Sequence, residues 1–153
     1  MARIQKSIVI EVPVEEAFEF AADWRNATRF YEGAYDLRPV TEKTRGNGVR
    51  FTCKAKNPVI GGIAYEVEYS DFVENVGWTA TGVKGPKFVE RWSFERLDDR
   101  PGATRVIYDM SYQVPVPIVG RLIDVLASEP LWTKRVEKSL RNLKSLLEGR
   151  DRQ

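Results

Sequence analysis

Residues 129–148 read EPLWTKRVEKSLRNLKSLLE. The apolar residues Trp132, Val136, Leu140, Leu143 and Leu147 recur at intervals of four, four, three and four, one stripe of a helix with period 3.6. Lys134, Arg135, Glu137, Lys138, Arg141 and Lys144 fall on the other faces. At about 1.5 Å per residue such a helix is roughly 30 Å long, the width of a small domain. A stripe of that length buries itself only against an extended surface. The preceding hundred or so residues read as that surface, a sheet.

Moving outward from the helix, Val116-Pro117 and Val114-Pro115 cannot be helix interior and mark a crossing from sheet to helix. Ile118 to Ala127 reads as helix, and Pro130 either lies in the first turn of a fresh helix capped by Ser128 or kinks a single long one. Upstream, the pattern has period two. Phe88, Glu90, Trp92 and Phe94 alternate with Val89, Arg91, Ser93 and Glu95, and Val106, Tyr108, Met110 and Tyr112 alternate with Arg105, Ile107, Asp109 and Ser111. Ile63, Tyr65, Val67 and Tyr69 share one face of a long strand, and Val49, Phe51, Cys53 and Ala55 one face of another. Leu37 to Lys43 and Trp78 to Val83 are expected as further strands. Turns fall at Arg45 to Gly48, Asn75 to Gly77, Lys84 to Lys87 and Asp98 to Ala103. Successive hairpins of this kind give an antiparallel sheet with one buried face. At the start, Arg3 to Val12 reads as a strand, and Val14 to Ala22 and a second piece ending at Phe30 read as short helices.

The 153 residues are expected to form a single domain over 1–148, with 149–153 a frayed tail. Twenty-four basic and 22 acidic residues are interleaved for a net charge of +2, and no basic block marks a nucleic-acid face. No run approaches 18 consecutive apolar residues, and the apolar part of MARIQKSIVIEV is too short for a secretion signal. The lone cysteine, Cys53, excludes an internal disulfide and fits a reducing cytoplasm. Histidine is absent, which removes the commonest metal ligand and the commonest general base. Gly61-Gly62 and Gly85 are followed by no Gly-Lys-Ser/Thr, so no phosphate loop is present. Neither a metal nor a cofactor is expected.

Several motifs resemble the START-like (SRPBCC) superfamily of polyketide cyclases, lipid-transfer proteins and pollen-allergen-type ligand binders. They are Val12-Pro13-Val14-Glu15-Glu16-Ala17-Phe18, Arg91-Trp92-Ser93-Phe94-Glu95 with Ala103-Thr104-Arg105-Val106, Val116 to Leu122, and Leu140 to Leu147. The resemblance implies an α+β helix-grip fold, in which a curved antiparallel sheet of about seven strands wraps a long C-terminal helix, with two short helices after the first strand. It also implies a cavity between sheet and helix. The leading function on this basis is binding or transport of a small hydrophobic or amphipathic molecule such as a lipid, an isoprenoid quinone or a polyketide. The alternatives are a cyclase or dehydratase, and an interaction module of the coenzyme-Q-binding type. A small hydrophobic ligand is the expected partner; nucleic acid is not, and transient membrane contact is allowed.

Under this resemblance the inward faces become the expected cavity wall: Val49, Phe51, Tyr65, Val67, Tyr69, Phe88, Glu90, Trp92, Phe94, Tyr108, Met110 and Tyr112, with Leu122, Leu126 and Val136 from helix. The segments Asn57 to Gly62 and Lys84 to Lys87 are expected at the mouth. Four inward phenols (Tyr65, Tyr69, Tyr108, Tyr112) each require a hydrogen-bond partner, which a cavity holding water or a polar ligand end supplies more readily than a dry core. Glu90 has two readings. It is a buried acid, base or anchor, or it sits at the strand's open end and pairs with a lysine or arginine. No residue is assigned a catalytic role beyond that candidacy. Asp71 is a second inward acid unless a bulge turns it outward. Cys53 reads as a small core residue, since no histidine can activate it.

Overall fold

The structure, a computed structural model, describes residues 2–57, 61–113 and 129–149. Seven strands form one antiparallel sheet: β1 (Ala2–Ile10), β2 (Ala34–Pro39), β3 (Arg50–Asn57), β4 (Gly61–Val73), β5 (Gly77–Lys84), β6 (Phe88–Arg96) and β7 (Thr104–Tyr112). Their spatial order is β1-β7-β6-β5-β4-β3-β2. Strands β2 to β7 are thus a plain meander, and β1 returns to pair with β7 from Ala2↔Tyr112 to Ile10↔Thr104. Between β1 and β2 lie helix α1 (Val14–Ala22), a 3₁₀ turn at Trp24–Asn26 and helix α2 (Ala27–Phe30). The long helix α3 (Glu129–Gly149) completes an α+β helix-grip arrangement.

The expected features of α3 appear with one asymmetry. Val136, Leu140, Leu143 and Leu147 are buried in the same apolar cluster as Ile10, Phe18, Phe30 and Trp92. Full burial stabilises each leucine by about 1.5–3 kcal/mol. Trp132, one turn before Val136, is only half-buried. The C-terminal half is pinned at several points: Lys144 Nζ donates to Val9 O (2.6 Å) and to Glu148 Oε2 (2.6 Å), and Glu11 N donates to that same carboxylate (2.9 Å). Asn142 Nδ2 donates to Phe30 O at 3.1 Å. The helix therefore rests on β1, α1 and α2, at one side of the sheet, and its N-terminal half stands over β3 to β6 across open space.

Two expectations are corrected. The second strand lies at Ala34–Pro39 and not at Leu37 to Lys43. Asp36 adopts φ 54, the β2–β3 register shifts between Tyr35 and Arg38, and beyond Pro39 the Thr41 hydroxyl donates to Lys43 O (2.7 Å) and accepts from Arg50 N (3.1 Å). A side chain that bonds its own neighbourhood in this way bends the chain into a turn in place of a strand. On β4, Asp71 adopts φ 52 where the pairing with β5 shifts register between Ser70 and Val73. This bulge leaves Asp71 exposed and turns Phe72 onto Phe18 and Trp78 (5.6 and 6.3 Å between ring centroids). Asp71 is not a second inward acid. The helix expected over 118–127, the choice at Pro130 and the tail beyond Gly149 fall outside the described residues.

Candidate functional site

Between the sheet and the N-terminal half of α3 lies a cavity of about 800 Å³. Its space arises from residue size. Three inward positions of β3 and β5 carry Cys53, Ala55 and Ala80, each reaching only a fraction of the gap that Phe51 or Phe88 fills beside it. Trp132, Arg135, Val136, Ser139 and Leu140 form the roof, and Tyr31 and Glu32 enter from the end of α2.

Phe51, Tyr65, Val67, Tyr69, Phe88, Glu90, Trp92, Tyr108, Met110, Tyr112 and Val136 line this space. Gly85, Pro86 and Lys87 from the β5–β6 turn stand at its edge together with Gln113. Phe94, expected on the wall, is not there. It points inward but lies deeper, edge-on to Phe18 (5.4 Å) and stacked on Trp78 (5.7 Å), where α1 covers it. Val49 is likewise fully buried, packed with Phe51 and Val67 away from the open space. Leu122 and Leu126 lie outside the described residues, as does most of the loop before Gly61. Sequence reasoning missed Tyr31, Trp132 and Arg135 as lining residues. Tyr31 caps a four-residue helix whose short length carries no readable face, Trp132 begins the stripe and reads as core, and Arg135 reads as solvent-facing, on a helix only half of which is packed on the core.

Glu90 is the polar centre of the cavity. It is 8% exposed and accepts three hydrogen bonds: from the Tyr31 hydroxyl at Oε1, from Trp92 Nε1 at Oε1 (2.7 Å), and from the Tyr108 hydroxyl at Oε2 (2.7 Å). Trp92 Nε1 also lies 2.7 Å from the Tyr31 oxygen. Among the described residues its partners are two phenols and an indole and include no lysine or arginine, in place of the cation-paired reading. The reason is position. Glu90 pairs with Ala80 on β5 and Met110 on β7, in the middle of three paired strands and not at an open strand end. Burial pushes its carboxyl pKa upward, and the three donors pull it back only in part. The Tyr31 and Tyr108 phenols are driven well above their usual range, first by burial and then by the Glu90 charge. Both remain neutral donors at any ordinary pH. Cys53 is buried against the Tyr35 and Lys54 carbonyls, and burial raises its pKa, the reverse of an activated thiol.

This arrangement has a proton count with chemical meaning. When Glu90 is ionised, both phenol protons and the indole proton are spent on it, and the phenol oxygens face the cavity as acceptors. When Glu90 is protonated, one proton is freed and a phenol can donate into the cavity. The floor thus accepts a ligand hydroxyl in one state and offers a donor to a carbonyl in the other. Among the described residues no group of three His, Cys, Asp or Glu side chains could hold a metal ion, and no helix is long and apolar enough to cross a membrane.

A cavity roofed by a C-terminal helix, with an apolar wall and one buried acid, is the ground plan of a ligand-binding helix-grip protein. The chain matches the polyketide cyclase / dehydrase and lipid transport family over residues 1–148 and belongs to that family. No curated protein matches it by sequence. Solved structures share its fold at low identity. One is a protein from Thermus thermophilus (TM-score 0.75, 21% identity, 97% of this chain and 98% of that one). A START superfamily protein from Mycobacterium smegmatis is similar too (TM-score 0.72, 16% identity, 96% and 97% covered). So is an aromatase/cyclase from Streptomyces (TM-score 0.74, 11% identity, 97% and 94% covered).

Proposed function

We propose that this chain binds or carries a small amphipathic molecule in the cavity beneath α3. The observation that carries the reading is the 800 Å³ space itself, within the usual ligand-site range of about 300–1,000 Å³, with its apolar wall and a few convergent polar groups at Glu90, Tyr31 and Tyr108. The apolar body of a lipid, quinone or polyketide would displace water from the Phe51, Val67, Phe88 and Met110 surfaces. Its polar end would meet the phenol oxygens.

A second reading, a cyclase or dehydratase, is favoured by one observation: the upward-shifted Glu90 carboxyl sits in direct contact with two phenols. Binding is the stronger reading. Glu90 is already bonded by three donors, Asp71 is exposed, and Glu32, the other acid lining the cavity among the described residues, accepts from Asn142 and is not paired with Glu90 for acid–base work. Native mass spectrometry of the freshly expressed protein, with extraction of whatever is retained, tests binding; a cavity that retains nothing and takes up no apolar fluorophore overturns it. Glu90→Gln separates the two readings. A binding site loses affinity modestly, whereas an enzyme loses about 10²-fold or more in turnover of a polyketide-like substrate.

A further inference from the structure

We propose that the cavity selects ligands with a carboxylate end and that Arg135 receives this end at the rim, with the rest of the molecule pointing down toward Glu90. The inference rests on the ligand-binding reading and adds the charge and orientation of the ligand.

Arg135 lies on the roof of the cavity, one turn before Ser139. Its guanidinium sits 5.3 Å from the centroid of the Trp132 ring and lies close to Gly33. Gly33 adopts φ +84, and a Cβ there would fall 2.9 Å from Arg135 Cζ. The positive φ favours glycine there, and the absent Cβ leaves room for the guanidinium beside the backbone. An arginine in contact with an indole ring and close to a backbone has lost part of its freedom before any ligand arrives, which lowers the cost of forming a planar, two-pronged contact with a carboxylate.

What this arginine lacks is an acid. Among the described residues it makes no ion pair, whereas Arg3, Arg25, Arg38, Arg45, Arg50, Arg96, Arg100 and Arg105 all do. Glu32, the acid nearest along the rim, turns its carboxylate toward Asn142 Nδ2 (3.4 Å). Lys87 stands on the β6 side of the same edge and also lacks an acid partner among the described residues, so the rim carries positive potential. A ligand carboxylate placed deep would face Glu90; placed at the rim it faces Arg135. Lys87 precedes Glu90 by three residues, about 10 Å along an extended strand, so an elongated molecule reaches from one to the other.

The test uses the full chain and a matched pair of fluorescent probes, cis-parinaric acid and its methyl ester, titrated at neutral pH against wild type, Arg135→Met and Arg135→Lys. The acid should bind wild type about ten-fold or more tighter than the ester, as suits a charge-assisted hydrogen bond. Arg135→Met should bring the ratio of acid to ester affinity to about one by lowering the affinity for the acid more than that for the ester, and Arg135→Lys should restore the ratio in part. If acid and ester bind wild type alike, or Arg135→Met weakens both equally, the assignment is wrong while the ligand-binding reading stands. If neither probe binds wild type, the binding reading fails and takes the inference with it. Dodecyl phosphate competing ten-fold better than dodecanoate would overturn the carboxylate assignment in favour of a phosphate end.

Discussion

Glu90 shows what a single residue contributes and how it can be measured. Its folded-state pKa is raised, so its contribution to stability is fully present below the unfolded value of about 4.3 and is lost as pH rises through the folded pKa. Asp23, Asp36, Glu74 and Asp109, whose pKa values are lowered by arginine partners, behave in the opposite sense and lose their contribution as pH falls. These four are common to wild type and to Glu90→Gln, so they cancel in the difference. Urea unfolding of both proteins from pH 4 to 8 should show wild type losing stability relative to the variant as pH increases. Parallel curves would mean that Glu90 is as well solvated folded as unfolded. The inward direction of Glu90 was legible from strand parity alone. Its partners were not, because Tyr31 comes from a segment 59 residues earlier, and only the packing of α2 under α3 brings that hydroxyl to the carboxylate.

At the scale of elements, α3 divides into a half that holds the fold and a half that roofs the cavity. Leu140→Ala should cost about 2–5 kcal/mol in chemical denaturation, as for a core leucine whose site cannot collapse. A loss near zero would mean that the stripe does not face the core. The same substitution at the cavity end, Val136→Ala, should cost less, because part of that side chain borders open space. The stripe itself was readable from spacing. The division was not: period 3.6 reports which face is apolar and says nothing of what stands opposite. The β4 bulge is a similar case. Alternation predicted inward positions up to Tyr69, and then one residue in left-handed conformation, Asp71, exchanged the faces and moved Phe72 onto Phe18.

At the scale of the whole molecule, the cavity and the surface each make a prediction. Ala80 lies on the wall beside Glu90, its partner on the neighbouring strand, and Ala80→Leu should fill part of the space, lowering ligand affinity by ten-fold or more while leaving unfolding stability equal or higher. A stability loss of several kcal/mol would mean that the interior is already filled. Among the described residues most arginines are paired with neighbouring acids, as at Arg3–Asp109 and Arg96–Glu15, which leaves no extended basic face among them for phosphates. Binding to DNA or RNA should therefore stay weak at physiological salt; submicromolar affinity with a steep salt dependence would contradict this.

By itself the sequence determined the α+β class, the meander of hairpins, the long terminal helix and the inward parity of Glu90 and of four tyrosines. These follow from periods of 2 and 3.6 and from turn chemistry, all of which act within a few residues. Only the tertiary structure decided that the interior is hollow, that Phe94 lies deeper than the cavity wall, and that, among the described residues, Glu90 is bonded by two phenols and an indole while Arg135 lines the cavity without an acid partner. Each of these depends on distances between elements far apart in the chain. Such distances are set by where α2 and β1 prop the long helix above the sheet, and no local pattern records them.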